Sequence, residues 1–204
     1  MHFFLQGERG IGKSYLLRQH LLPYLGQMAG FGVSRLTEDG EVAGFAVYDV
    51  KAGFGPLEQE GRAGSRGSDE DVFMYRGHRD ITVLEKTIAR VAADCREAWC
   101  RLIYLDEIGG IELVSPAFLA SLGQVLACGK PCIGVWKSAA NLSHTLQNYG
   151  LSGEYRKQHR QLEEQLTAAG ELHTLTAGNQ KECQKRLAAY LSGRQQEYGR
   201  EELR

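Results

Sequence analysis

The sequence lacks the features of several protein classes. Its 204 residues contain no run of the roughly 18 to 20 apolar residues that a membrane-spanning helix needs. The first residues lack the basic start and the small-residue cleavage site of a secretory signal. Lysine and arginine total 24 against 25 aspartate and glutamate, so no basic excess would attract nucleic acid or an anionic membrane. We expect a cytoplasmic protein with neither kind of partner.

Patterned cysteines and internal repeats are also missing. The five cysteines form no C-x-x-C pair, and none lies near a histidine at the spacing of metal ligands. Ordinary reduced thiols are therefore expected. No repeat of 20 to 50 residues appears, which excludes a solenoid or a propeller.

The chain length suits one domain with a sizeable core. We predict a single domain over residues 1–192 and a polar tail over 193–204 that frays. Residues 51–71 carry many glycines and charges with no period of either kind, which indicates a mobile loop or an insertion.

Strand-length apolar runs alternate with stretches of helical period. The predicted strands are 2–6, 30–36, 42–50, 101–106, 131–136 and 172–176. The predicted helices are 13–25, 80–98, 115–127, 153–168 and 179–191. The Asp39-Gly40 pair predicts an antiparallel hairpin between the second and third strands. The alternation favours an α/β fold with a mostly parallel sheet and helices on both faces, whose ligands bind beyond the carboxyl ends of the strands.

The strongest motif lies between the first strand and the first helix. Residues 7–14 read GERGIGKS and match G-x-x-x-x-G-K-[ST], the phosphate-binding loop, at every fixed position. Glycines permit the positive φ angles that let backbone amides curl around a phosphate. Lys13 would reach the β- and γ-phosphates, and Ser14 would offer its hydroxyl to Mg²⁺. The predicted nucleotide-binding residues are Gly7, Glu8, Arg9, Gly10, Ile11, Gly12, Lys13, Ser14 and Tyr15.

A second acidic site is expected where a buried strand ends. The segment LIYLDE closes with Asp106 and Glu107. Asp106 would hold the metal ion together with Ser14, directly or through a water, and Glu107 would orient an attacking water or accept its proton. These residues predict Mg²⁺-dependent hydrolysis of a nucleoside triphosphate, with Lys13 and Glu107 as the catalytic residues.

The segment LDEIGGIEL, residues 105–113, resembles the D-E-I-G-P-M-E-L signature of the small thermophile and cancer-related nucleoside-triphosphatase family. GFGVSRLTEDGEVAGF and LHTLTAGNQ are similar to the family's hairpin and closing strand. The resemblance implies a three-layer P-loop fold close to nucleotide kinases. It also implies a slow, Mg²⁺-dependent hydrolase that converts ATP, GTP and other triphosphates to diphosphates, with residues 7–14, Asp106 and Glu107 as the site.

The chain departs from the family pattern at four positions. Gly110 and Ile111 replace Pro-Met in the signature, Val42 stands where the family often has arginine, and Gln180 replaces the arginine after Asn179. The changes fall on expected base contacts and leave the phosphate machinery complete. No N-K-x-D motif that reads guanine is present, so broad base tolerance is expected.

Several other residues have two interpretations. Arg156, Lys157 and Arg160 form either a lid over the phosphates or a solvated basic face. Lys137 is a second candidate for a γ-phosphate contact. Asn179 either touches the base or caps a helix. The loop at 51–71 either closes over the nucleotide or is an insertion with no catalytic role.

Two other functions stay open at this stage. One is a kinase for a nucleotide or a small metabolite, which would need an acceptor pocket. The other is a non-catalytic, nucleotide-responsive regulatory module that engages a protein partner of unspecified nature.

Overall fold

The computed structural model describes residues 1–60, 71–141 and 153–201. The strands are β1 His2–Gly7, β2 Met28–Glu38, β3 Glu41–Asp49, β4 Glu58–Glu60, β5 Val72–Tyr75, β6 His78–Arg79, β7 Leu102–Ile108, β8 Cys132–Trp136 and β9 Gly170–Leu175. The helices are α1 Lys13–Leu21, α2 Ile81–Asp94, α3 Pro116–Ala127, α4 Gly153–Ala169 and α5 Gln180–Glu201. Short 3₁₀ turns cover Leu22–Tyr24, Val50–Ala52 and Ile111–Val114.

The described strands form one mixed sheet. Their order is β6-β5-β3-β2-β7-β8-β1-β9, and β4 pairs with β2 outside this path. The pairs from β2 through β7, β8 and β1 to β9 are all parallel, whereas β3, β5 and β6 add antiparallel strands at one side. The carboxyl ends of β1, β7 and β8 therefore meet at the same edge.

The central strands of the sheet are buried on both faces, and successive side chains of β1 alternate between two apolar clusters. Phe3 and Leu5 of β1 pack in one apolar cluster with residues of α1 and α5, while Phe4 packs in the other with α2, α3 and α4. A strand covered on both faces can be apolar at every position, which explains the continuous apolar run at residues 2–5. The predicted fold class is confirmed.

Polar side chains cap the starts of two helices. The Asp80 carboxylate accepts a hydrogen bond from the Thr82 amide at 3.0 Å and caps α2. The Ser115 hydroxyl accepts from the Phe118 amide at 3.0 Å, with Pro116 at the first helical position of α3.

Some predicted bounds were wrong. The first helix ends at Leu21, not at 25, because Pro23 has no amide hydrogen and forces a 3₁₀ turn. The last helix continues to Glu201, so the predicted tail at 193–204 is helical through 201. The helix end was predicted from the spacing of apolar residues, which stops at Leu191. The arginine, glutamine and glutamate residues after it favour a helix by intrinsic propensity.

The predicted loop at 51–71 is partly regular. A 3₁₀ turn begins it, and β4 pairs with β2 in parallel, while residues 61–70 lie outside the described chain. A three-residue strand is too short to show a period. The four-residue β5 and the two-residue β6 escaped prediction for the same reason.

All five cysteines carry free thiols, as expected. No helix in the described parts of the chain combines the length and apolar character needed to cross a membrane.

Candidate functional site

The glycine-rich loop joins β1 to α1 at the carboxyl edge of the sheet. Gly10 and Gly12 have φ angles of 81° and 95°, in the left-handed region that glycine adopts without strain. The Gly12 carbonyl accepts the first bond of α1 from the Leu16 amide at 2.9 Å. The helix therefore begins at the end of the loop, where unpaired amides and the helix dipole favour an anion.

Lys13 folds back over this loop. Its ammonium donates to the Gly7 carbonyl at 3.1 Å and to the Glu8 carbonyl at 2.7 Å. Burial lowers the pKa of Lys13, while the nearby Glu107 and Asp106 carboxylates act in the opposite direction. The cation is thus held over the loop in which a phosphate would lie.

Asp106 lies beside Ser14, although 92 positions separate them in the chain. The Ser14 hydroxyl donates to Oδ1 of Asp106 at 2.9 Å. Two oxygen donors of this kind suit Mg²⁺, which binds one or two protein ligands and completes its shell with water and phosphate oxygens. Among the described residues no group of three or more acidic, histidine or cysteine side chains could hold a metal by itself. The residues present fit an ion shared with a nucleotide.

Asp106 is almost completely buried, and its charge is costly there. Burial raises the pKa of Asp106 to about 6, and the Glu107 charge adds to the increase. The Arg18 guanidinium lowers it, since Nη2 of Arg18 lies 3.5 Å from Oδ2 of Asp106. The carboxylate is ionised above about pH 6, where it can hold a cation.

Arg18 is a buried cation on α1 that joins three parts of the chain. Besides Asp106, it donates to the Gly55 carbonyl at 2.9 Å. Its guanidinium lies 5.3 Å from the ring centre of Tyr48 and 5.6 Å from that of Phe54. Arg18 therefore links the Asp106 carboxylate to Tyr48 of β3 and to the segment that follows β3.

Glu107 differs sharply from its neighbour. Its side chain is exposed and borders the cavity, while its φ of 56° lies in a region that side chains other than glycine rarely adopt. Such backbone strain is often found at functional sites, where the surroundings enforce it. Both residues border the cavity, but Glu107 is exposed there whereas Asp106 is almost completely buried.

Glu112 holds the turn after β7. One oxygen of its buried carboxylate accepts from the Gly109 amide at 2.6 Å and from the Gly110 amide at 2.7 Å. The Tyr155 hydroxyl, on α4, donates to the carbonyls of the same two glycines. Amides and carbonyls of the turn are thus both satisfied by side chains from elsewhere.

A cavity of about 680 Å³ opens over the site. The loop, Asp106, Glu107, Lys137 and Asn141 line its polar part. The Asn141 amide donates to the Gly7 carbonyl at 3.0 Å, and the Lys137 carbonyl contacts His159 of α4 at 2.8 Å. The structure therefore brings Lys137 to the site, as its position after β8 suggested.

The other sequence candidates lie elsewhere. Arg156, Lys157 and Arg160 are exposed on α4, whose buried face carries Tyr155 and His159. They form a solvated face in this structure. The Asn179 side chain accepts from the Thr176 amide at 2.8 Å and donates to the Thr174 carbonyl at 2.8 Å. The side chain thus ties the turn before α5, and the Asn179 carbonyl accepts from the Cys183 amide at 3.0 Å at the start of that helix.

Sequence reasoning did not assign roles to Arg18, Glu112 and Asn141. Glu112 is part of the D-E-I-G-P-M-E-L signature, so its place in that signature could have identified it as a residue of the site. In the sequence, Arg18 is one charged residue on a short helix, and Asn141 lies several residues after the predicted strand 131–136. Neither position carries a motif. Only the tertiary contacts show what these side chains bind.

Comparison with known proteins gives three findings. Residues 2–181 match the model of a family described as NTPase. The chain is 31% identical over 134 residues to nucleoside-triphosphatase THEP1 of Methanosarcina barkeri (strain Fusaro / DSM 804), covering 63% of this chain and 72% of that protein. It is 32% identical over 133 residues to the cancer-related nucleoside-triphosphatase of Homo sapiens, covering 62% and 69%.

A solved structure shows the same fold. The solution structure of a human cancer-related nucleoside triphosphatase aligns with a TM-score of 0.58 and 22% identity, covering 94% of this chain and 97% of that one. This similarity supports the arrangement of sheet and helices described above.

Proposed function

The chain belongs to the NTPase family, and we propose that it is a Mg²⁺-dependent nucleoside-triphosphate phosphohydrolase that acts slowly on ATP, GTP and other triphosphates. The products are a nucleoside diphosphate and inorganic phosphate. The relatives named above carry the name nucleoside-triphosphatase, which supports this activity.

One observation supports the proposal above the others. The hydroxyl of Ser14 and the carboxylate of Asp106 meet at 2.9 Å at the end of a glycine-rich loop. These two oxygens are the protein ligands that a magnesium ion shared with phosphates would need. When bound, the ion would neutralise charge on the β- and γ-phosphates.

The residues of this chain then have separate roles. The loop amides and Lys13 hold the phosphates and stabilise the charge that spreads over the γ-phosphoryl group. Glu107 orients a water for in-line attack and takes its proton. The new bond joins the water oxygen to the γ-phosphorus, and the bond from that phosphorus to the bridging oxygen breaks.

Broad base tolerance follows from what the loop contacts. Backbone amides, Lys13, Ser14 and Asp106 all address the triphosphate, which every nucleotide substrate shares. A slow rate suits a site that relies on its own acidic residue, without an arginine supplied by a partner.

The test measures phosphate release from ATP, GTP, CTP and UTP, with and without Mg²⁺, for the parent, Lys13→Ala and Glu107→Gln. We expect Lys13→Ala to lose nucleotide binding and activity. Glu107→Gln should bind nucleotide like the parent and lose at least about 100-fold in turnover, the usual contribution of a general base.

Two exposed positions provide matched controls. Lys86→Ala removes an exposed lysine from α2, and Glu97→Gln removes an exposed acid far from the cavity. Both should retain parental turnover. Full turnover in Lys13→Ala and Glu107→Gln would refute the hydrolase, as would phosphate release that depends on an added acceptor.

A further inference from the structure

The cavity over the site has a second, apolar half that nucleotide hydrolysis does not use. Its wall comes from the β2-β3-β5 side of the sheet, from α2 and α3, and from the turn after β7. The phenylalanines there are Phe31, Phe45, Phe73 and Phe118, and Trp136 of β8 also lines the cavity. A phosphate tail and an attacking water need no surface of this kind.

A row across three strands forms the floor of this half. Arg35 of β2 lies opposite Phe45 of β3, and Phe45 lies opposite Met74 of β5. All three line the cavity. Phe31 and Val33 share the face of β2 with Arg35, since strand side chains alternate with a period of two.

The β2-β3-β5 side of the apolar wall is partly open to solvent, whereas Leu84 of α2 and Phe118 of α3 are buried. Phe45, Phe73, Met74 and Val33 are only half-buried, and Leu57 is 37% exposed. The rings of Phe45 and Phe73 lie 6.1 Å apart with planes within 25° of parallel. A concave apolar surface of this type is typical of a small-molecule site, because water held against it is readily displaced.

The apolar half begins where the triphosphate would end. Asp106 and Glu107, which would lie at the γ-phosphate, and the following Ile108 all border the cavity. Arg35 and Lys13 line the same cavity, so the apolar half adjoins the phosphate loop. The nucleoside is at the opposite end of the triphosphate, so it would leave this half empty.

We propose that the apolar half binds a second small molecule with a flat aromatic body, next to the γ-phosphate, which regulates hydrolysis. The ring stacks on Phe45, whose face forms the middle of the Arg35-Phe45-Met74 row. Occupancy removes water from the space beside Glu107, so turnover falls. The proposal of a binding site depends only on the shape and lining of the cavity. The proposed effect on turnover rests on the proposed function.

The test uses the full chain and N-phenyl-1-naphthylamine, a neutral aromatic probe that fluoresces in apolar sites. We expect saturable binding to the parent, with binding weakened about tenfold in Phe45→Ala, the loss typical of removing one stacked ring. Phe45→Leu should recover only part of the affinity. Val42→Ala, on the same strand but 40% exposed, is the matched control and should bind like the parent.

Competition separates the two halves of the cavity. Neither inorganic tripolyphosphate with Mg²⁺ nor a non-hydrolysable ATP analogue should displace the probe. Displacement by the ATP analogue but not by tripolyphosphate would overturn the proposal, since the nucleotide base would then occupy the apolar half. Displacement by tripolyphosphate would overturn it as well, because the probe would lie in the phosphate loop.

Variants that lose their fold are recognised by thermal melting. If Phe45→Ala does not fold, Leu57→Asp, at the open edge of the apolar wall, takes its place. This variant should weaken probe binding to the same extent. Parental binding in both variants would refute the site. Saturating probe should lower phosphate release by the parent, and unchanged release would refute the regulation. Absent release with intact probe binding would count against the hydrolase alone.

Discussion

Replacing Asp106 with asparagine should make the stability of the metal-free protein depend less on pH. Asparagine has nearly the same shape and keeps an oxygen that can accept from Ser14. It cannot ionise. The attraction between Arg18 and the ionised carboxylate is already part of the folded-state pKa of Asp106, so it is lost together with that titration, which only the parent has.

The size and sign follow from the raised pKa. The pKa of Asp106 is about 6 in the folded chain against an ordinary value of 3.8. Between these values the folded chain keeps a proton that the unfolded chain has released, so the stability of the parent falls as the pH rises. The difference of pKa amounts to about 3 kcal/mol in all, of which about 1.4 kcal/mol falls between pH 5 and pH 8.

Urea unfolding of both proteins from pH 5 to pH 8, with EDTA and without nucleotide, measures this difference. The unfolding free energy of Asp106→Asn minus that of the parent should rise by about 1.4 kcal/mol over the range, whatever its value at pH 5. Other titrating groups are common to both proteins. A difference that is flat, or that falls as the pH rises, would refute the argument that Asp106 is buried with a raised pKa.

Two further changes address the surroundings of the acidic residue. Arg18→Met removes the cation beside Oδ2 of Asp106. It should raise the Mg²⁺ concentration needed for half-maximal phosphate release about tenfold, which corresponds to the loss of one charged hydrogen bond. An unchanged Mg²⁺ titration would contradict this. Glu112→Ala leaves the amides of Gly109 and Gly110 without their acceptor and should cost about 2 to 4 kcal/mol in urea unfolding. Glu112→Gln keeps an acceptor and should restore most of it, and a loss below about 0.5 kcal/mol in the alanine variant would show that water replaces the carboxylate.

The phosphate loop could be predicted because its chemistry is local. Eight consecutive residues between one strand and one helix specify the backbone shape, and the glycines at positions 10 and 12 adopt the expected positive φ. The position of Asp106 beside the loop could be predicted because a polar residue at the end of a buried strand lies at the ligand edge of a parallel sheet.

The supporting residues could not be predicted in the same way. Arginine is usually a surface residue, so the sequence gives no reason to expect Arg18 to be buried. Its burial depends on contacts with Gly55, Tyr48 and Phe54, which no periodic pattern in the sequence relates to α1. No sequence pattern marks the positive φ of Glu107 either, because residues other than glycine rarely adopt it.

The sequence by itself determined the α/β alternation, the loop and the acidic strand end, since apolar period and short motifs act over neighbouring residues. Tertiary structure alone decided that Arg18 lies against Asp106, that Asn141 reaches the phosphate loop and where the apolar half of the cavity lies. These features depend on residues far apart in the chain, and only sheet order and side-chain packing bring them together.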